Sequence, residues 1–196
     1  MGSLVKRFLR KDRGSNLKNH RRPTSRFIAM LGILTAITLA VPFLGLPQPV
    51  TGPLVNAMLI MTAVILGPTG GSILGALTPV MALIRGQLPA PLAAMVPLIM
   101  AGNAVYVILF CFLYTRFTSG RESGREWFFL ISLSVAATAK TMILLAGVRW
   151  ILPAVLGRAL PVHIAYLMTT PQLMTAVTGG ILAMLILRLL ERAAVL

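Results

Sequence analysis

The stretch Trp127–Trp150, WFFLISLSVAATAKTMILLAGVRW, is a nearly unbroken apolar run with one lysine, Lys140, close to its middle. At about 1.5 Å of rise per helical residue, a run of this length crosses a hydrocarbon core of about 30 Å. An ionisable group at that depth costs at least a few kcal/mol and faces a bundle interior or a cavity, where it finds a partner. The four acids of the chain, Asp12, Glu122, Glu126 and Glu191, all fall at the ends of apolar runs or outside them. No intramembrane carboxylate is therefore on hand for Lys140. The lysine reaches water, bonds helix carbonyls, or waits for an anion.

Composition agrees with the reading of a membrane span. The chain has 196 residues, 57% of them hydrophobic and only 11% charged, with a mean hydropathy of +0.88. Soluble domains carry roughly 25% charged residues. The length leaves room for about six spans of roughly 20 residues. The expected fold class is an all-α integral membrane protein, a six-helix bundle with both termini inside. A basic arm covers 1–26, the membrane domain 27–190, and a short tail 191–196.

The net charge of +14 does not imply nucleic acid, because nine of the 18 Lys and Arg residues precede Phe27 in that polar arm. A basic arm before a first span is an ordinary inside anchor that touches anionic lipid. The arm is too basic and the following run too long for a cleaved signal peptide. Cys111 stands alone, so neither a disulfide nor a cysteine metal pair is available.

Six runs mark the spans. Phe27–Leu44 ends near Pro42, Pro91–Tyr114 is the fourth, Trp127–Trp150 the fifth and Ile164–Leu187 the sixth. Between them, Leu54–Leu66 and Ser72–Ile84 are shorter runs separated by GPTGG, Gly67–Gly71. These two cross only if their flanks, from Thr51 and through Gln87, continue the helices; a re-entrant hairpin is the alternative. On the six-span reading, the arm, Arg116, Arg121, Arg125, Arg188 and Arg192 share one side, against Arg85, Arg149 and Arg158 on the other. That is fourteen basic residues to three, which puts both termini in the cytoplasm. The external loops Gly45–Pro53, Gly86–Pro91 and Ile151–Pro161 all contain proline. They either cap an outward cavity or simply end helices.

Polar groups within the runs are few. Lys140 shares a helix face with Ala136, Ala137, Leu144 and Gly147, small neighbours that suit an interior position. Asn56, Asn103 and Gln172 add amides, Tyr106 lies one turn after Asn103, and Thr78 and Thr141 add hydroxyls. Arg85 closely follows a run and precedes QLPAPL. Lys140, Asn103, Arg85, Asn56, Tyr106 and Gln172 are thus the candidate substrate-binding residues, with helix–helix hydrogen bonding the alternative role for each amide. Gly32, Ala36 and Ala40 recur every four residues, a small-residue face that lets backbones approach, whether within this chain or against another subunit. Gly71 and Gly75 repeat the spacing and suit internal packing. Gly179–Gly180 marks a close crossing or a flexible point.

Several chemistries are excluded. There is no HExxH and there are only two histidines, His20 and His163, so no metal-peptidase site exists. His163, beside the sixth run, reads as an interfacial residue. The glycine-rich GPTGGSILG lacks the Lys-Ser/Thr ending of a phosphate loop. Ser132 and Ser134 do not share a face with Lys140 well enough to use it as a base. The chain is not expected to be an enzyme or to bind a cofactor or metal.

The stretch PVTGPLVNAMLIMTAVILGPTGGSILGALTPVMALI, Pro49–Ile84, resembles substrate-binding S components of energy-coupling factor transporters, the riboflavin-transporter-like superfamily. The Leu66-Gly67-Pro68 to Gly71 turn and the following Gly75 and Pro79 carry the likeness, which extends over most of Phe27–Leu190. The resemblance implies capture of a vitamin or related micronutrient at the outer face of the cell membrane. It also implies partners, namely a membrane coupling subunit and two ATPase subunits that hydrolyse the ATP. In that family an Ala-xxx-Ala surface of the first helix docks on the coupling subunit. Ala36 and Ala40 fit it, preceded by Gly32, whereas the earlier register fails because Ile33 follows Ala29 at four residues. The alternative is a membrane scaffold or assembly protein without a ligand.

Overall fold

The computed structural model describes residues 24–86, 88, 90–121, 123–157, 162–167 and 169–193. The basic arm up to residue 23, Arg158 and the tail from residue 194 lie outside them, as does the side chain of His163. Every regular element among the described residues is helical. In chain order the helices are α1 (Thr24–Ala40), α2 (Gln48–Leu66), α3 (Pro68–Ile84), α4 (Val96–Thr118), α5 (Arg125–Ala146), the short α6 (Leu152–Leu156) and α7 (Val162–Leu167), and α8 (Thr170–Arg192). Three tighter or wider turns join them. Val41–Leu44 and Ala90–Met95 are 3-10 segments, and Gly147–Ile151 is a π turn that carries α5 on into α6.

Five helical stretches are long and apolar enough to cross a membrane: Ser25–Leu44, Pro49–Leu66, Leu92–Thr118, Arg125–Val155 and Thr170–Arg192. The chain is thus a multi-pass membrane protein. Apolar side chains such as Ile28, Phe112, Ile131, Met142 and Leu185 stand exposed around its outside, as a lipid-facing surface requires. Helix α3, with 17 residues, is apolar but rises only about 26 Å.

Two of the boundaries that differ from the sequence reading lie at prolines. The second run does lengthen at its start, from Gln48, but the third does not continue toward Gln87, because α3 stops at Ile84, and GPTGG is no five-residue turn. Gly67 alone breaks the chain, at φ 89°, and Pro68–Gly71 already belong to α3. Proline at the first helical position has no N–H to waste and a φ already set for the helix. The sixth run does not start at Ile164. A bend at Thr169 separates α7 from α8, and Pro171, the second residue of α8, lies in the first turn, where its missing N–H has no ladder partner to lose.

Packing centres on α2 and α8, the most extensive helix pair, with α5 against α4 next and α3 against α4 after it. Gly179 of α8 meets α2 so closely that an added Cβ would stand 2.5 Å from the Pro53 carbonyl oxygen and 3.0 Å from the Ala57 nitrogen. Gly180 faces the Leu133 side chain of α5. This pair therefore marks a close crossing. Gly71 lies against Val107 and Ala63, and Gly75 against Asn103, so the second glycine pair serves internal packing.

Helix α1 is different: 11% of its apolar window is buried, against 33–44% in the other four. Gly32, Ala36 and Ala40 are all exposed, and nothing lies within 4 Å of a Cβ built on Gly32. The small-residue face therefore packs against none of the described residues. Thr38 is the residue α1 buries, its hydroxyl donating to the Leu34 carbonyl at 2.6 Å.

The core has two parts. The larger runs through the bundle around Leu59, Ile60, Tyr106, Phe110, Phe129 and Leu133. Phe110, Tyr114 and Phe129 pack there as a trio of rings with centroids 4.8–5.6 Å apart. The smaller part, Leu88, Leu92, Met95, Leu144, Val148 and Leu152, ties the 3-10 segment to the π turn. At the end of the bundle where α5 begins and α8 stops, Arg188 pairs with Glu126 at 2.6 Å.

Candidate functional site

A cavity of about 240 Å³ opens at the opposite end. Its walls come from the end of α1, the start of α2, the end of α3, Leu88, the start of α4, the middle of α5 and the start of α8. Leu39, Val55, Pro79, Ala82 and Ile99 make it largely apolar, and Asn56, Asn103, Thr78, Lys140 and Gln172 supply polar groups. Sites for small molecules have this make-up, at about 300–1,000 Å³ for drug-sized ligands. The present cavity suits something smaller.

Lys140 is 3% exposed. The face inferred from its spacing is the buried face of α5: Ala136, Ala137 and Leu144 are each 0% exposed. Its Nζ donates to Asn56 Oδ1 at 2.7 Å and stands 5.3 Å from the Tyr106 ring centroid. An ammonium has three donors, and one of them is used here by a neutral amide. Asn56 is held in place by its own Nδ2, which donates to the Gly52 carbonyl at 3.0 Å and reaches Thr175 Oγ1 at 3.5 Å. A single amide thus ties α5 to α2 and α2 to α8.

Asn103 answers a different need. Pro79 has no N–H, so the Gly75 carbonyl one turn earlier loses its partner in the α3 ladder. Asn103 Nδ2 donates to that carbonyl at 2.8 Å, and Thr78 Oγ1 contributes at 3.3 Å. The glycine at 75 lets α4 come near enough for this, since a Cβ there would meet the Asn103 Cβ at 2.9 Å. Asn103 lines the cavity and mends the helix beside it.

Tyr106 lies below the cavity rather than in its wall. Fully buried, it donates its hydroxyl to the Ala176 carbonyl at 2.8 Å and offers its ring to the lysine. Tyr106→Phe keeps the ring and removes the bond. It is expected to lower stability by about 1 kcal/mol, measured by reversible denaturation in detergent. Gln172 is in the lining. Arg85 is not: it is exposed, and its guanidinium carbon stands 4.1 Å from the Phe43 ring centroid. That stacking joins the end of α3 to the 3-10 segment after α1 and uses the cation outside the cavity. Arg85→Ala is accordingly expected to change ligand affinity less than twofold in an equilibrium binding assay.

Spacing alone did not single out Thr38, Thr51, Val55, Pro79 and Ile99 as lining residues, nor Thr175 as a partner of Asn56. For Asn103 a signal existed: a proline four residues after Gly75 frees a carbonyl that some donor must meet.

The chain matches no protein-family model, no curated protein and no solved structure.

Proposed function

We propose that the protein is the solute-binding membrane subunit of an ATP-driven importer for a vitamin or related micronutrient, of the energy-coupling factor type. The observation that carries this reading is the cavity with Lys140 buried in its wall, bonded to a neutral amide beside the Tyr106 ring, with no acid in the lining. A charge taken out of water without a counter-charge costs several kcal/mol, and a ligand that meets it recovers part of that cost. Six crossings, with α3 as the short one and both termini in the cytoplasm, put the cavity at the outer face. The fourteen-to-three bias of basic residues supports that orientation.

No phosphate-loop sequence occurs in the chain, so ATP would be bound and hydrolysed by two partner ATPases through a membrane coupling subunit. The exposed Gly32, Ala36 and Ala40 face of α1 is the surface on which that subunit would dock. The same face also favours the second reading, a scaffold with no ligand.

Native mass spectrometry of the purified protein separates the two. An importer subunit retains one small molecule without nucleotide, whereas a scaffold retains only protein partners. Lys140→Ala is expected to weaken binding of the retained molecule tenfold or more, and unchanged affinity would remove the lysine from the site. Uptake into proteoliposomes only when coupling proteins are co-reconstituted would establish the transport role.

A further inference from the structure

We infer that the cavity selects a small monocarboxylate, with the carboxylate at Lys140 and an apolar body toward the mouth. The inference rests on the solute-binding reading and adds the charge class of the ligand. It follows from a count of uncommitted donors in the lining.

The hydroxyls are already used. Thr38 donates to Leu34, Thr51 to Leu46 at 2.9 Å, and Thr78 to Gly75. The two amide hydrogens of Asn56 are likewise committed to the Gly52 carbonyl and Thr175 Oγ1, and those of Asn103 to the Gly75 carbonyl and Thr78 Oγ1. What remains among the described residues is the ammonium of Lys140, with two N–H groups beyond the one given to Asn56, and the neutral amide of part-exposed Gln172. No acid lines the cavity.

The charge balance then decides among ligand classes. One cation neutralises one negative charge, and a carboxylate accepts two N–H bonds readily. A phosphate monoester carries about −1.5 to −2 and three strong acceptor oxygens, so most of its oxygens and part of its charge would go unmatched in an apolar pocket. A cationic ligand would meet Lys140 with no acid to offset it. A neutral ligand would leave the buried ammonium without a counter-charge, beside the Asn56 amide and the Tyr106 ring. Leu39, Val55, Pro79, Ala82, Leu88 and Ile99 provide only apolar contact for the remainder. The volume of about 240 Å³ limits that remainder to a compact group.

Four probes that share one ring test this directly: benzoate, benzamide, phenyl phosphate and benzylamine, titrated calorimetrically at neutral pH into the protein in nanodiscs. Benzoate is expected to bind at least tenfold more tightly than each of the other three. In Lys140→Met, a long unbranched apolar replacement, benzoate and benzamide should bind within twofold of each other. Phenyl phosphate equal to or tighter than benzoate, or benzamide equal to benzoate in the wild type, would overturn the charge class while leaving solute binding intact. Failure of all four to bind would count against the charge class and the solute-binding reading together. Because the wild-type comparison stands alone, a poorly folded variant does not decide the outcome.

Discussion

Asn56→Leu is expected to destabilise the protein by about 2–3 kcal/mol, and adding Lys140→Met is expected to restore most of that loss. The amide oxygen of Asn56 accepts from Lys140 Nζ at 2.7 Å in a buried site. Hydrogen bonds to charged groups contribute roughly 1.5–3 kcal/mol, and removal of one partner leaves the other desolvated and unmatched. Leucine is about the size of asparagine but accepts nothing, so the single variant strands the ammonium. It also releases Gly52 and Thr175 from the amide hydrogens. Lys140→Met alone is milder, because it removes the charge that demanded a partner. Replacing both polar groups with apolar ones is often nearly neutral where removing one is costly. A double-mutant cycle by reversible denaturation in detergent should give a coupling of at least about 1 kcal/mol. Simple additivity, with Asn56→Leu no worse than Lys140→Met, would show that the pair does not hold the helices together.

Gly179→Ala is the second large effect. The new Cβ would lie 2.5 Å from the Pro53 carbonyl oxygen, 2.7 Å from the Asn56 Cβ and 3.0 Å from the Ala57 nitrogen. Two of these atoms are backbone, so no rotamer change relieves the contact and α2 must move off α8. Overpacking of this sort costs about 1–3 kcal/mol. Asn56 shifts with its helix, so ligand affinity should fall along with stability. Gly32→Ala is the matched control, with nothing within 4 Å of the new atom, and its stability should stay within about 1 kcal/mol of wild type or rise slightly with helix propensity. Thermal unfolding of both variants in nanodiscs checks the pair. Equal behaviour would mean that the α2–α8 crossing is looser than its geometry implies.

Legibility in the sequence followed the range of each interaction. The buried face of α5 could be read from local spacing, because Ala136, Ala137, Lys140 and Leu144 share a face through helical periodicity alone. At Gly179–Gly180 the sequence left a close crossing and a flexible point open, and the contacts with α2 and Leu133 decide for the crossing. The ends of α3 and α8 were misplaced because Pro68 and Pro171 were taken as parts of a turn and of a continuous run. In fact each lies in the first turn of a helix. The partner of Lys140 was out of reach. Asn56 lies 84 residues away on another helix, and no periodicity links residues so far apart. The contact of Arg85 was out of reach for a similar reason: its ring partner, Phe43, lies in the 3-10 segment after α1, 42 residues earlier.

The repair of α3 by Asn103 reaches beyond that helix. Pro79 leaves a carbonyl without its donor, and the amide that answers it is one of the few polar groups facing the cavity. A backbone defect on one helix therefore fixes the recognition inventory on the next. Restoring a residue with an N–H at position 79 would let α3 close its own ladder and release that amide to a ligand. Substitution at position 79 would thus change the polar groups offered to the cavity as well as the apolar wall that Pro79 itself provides.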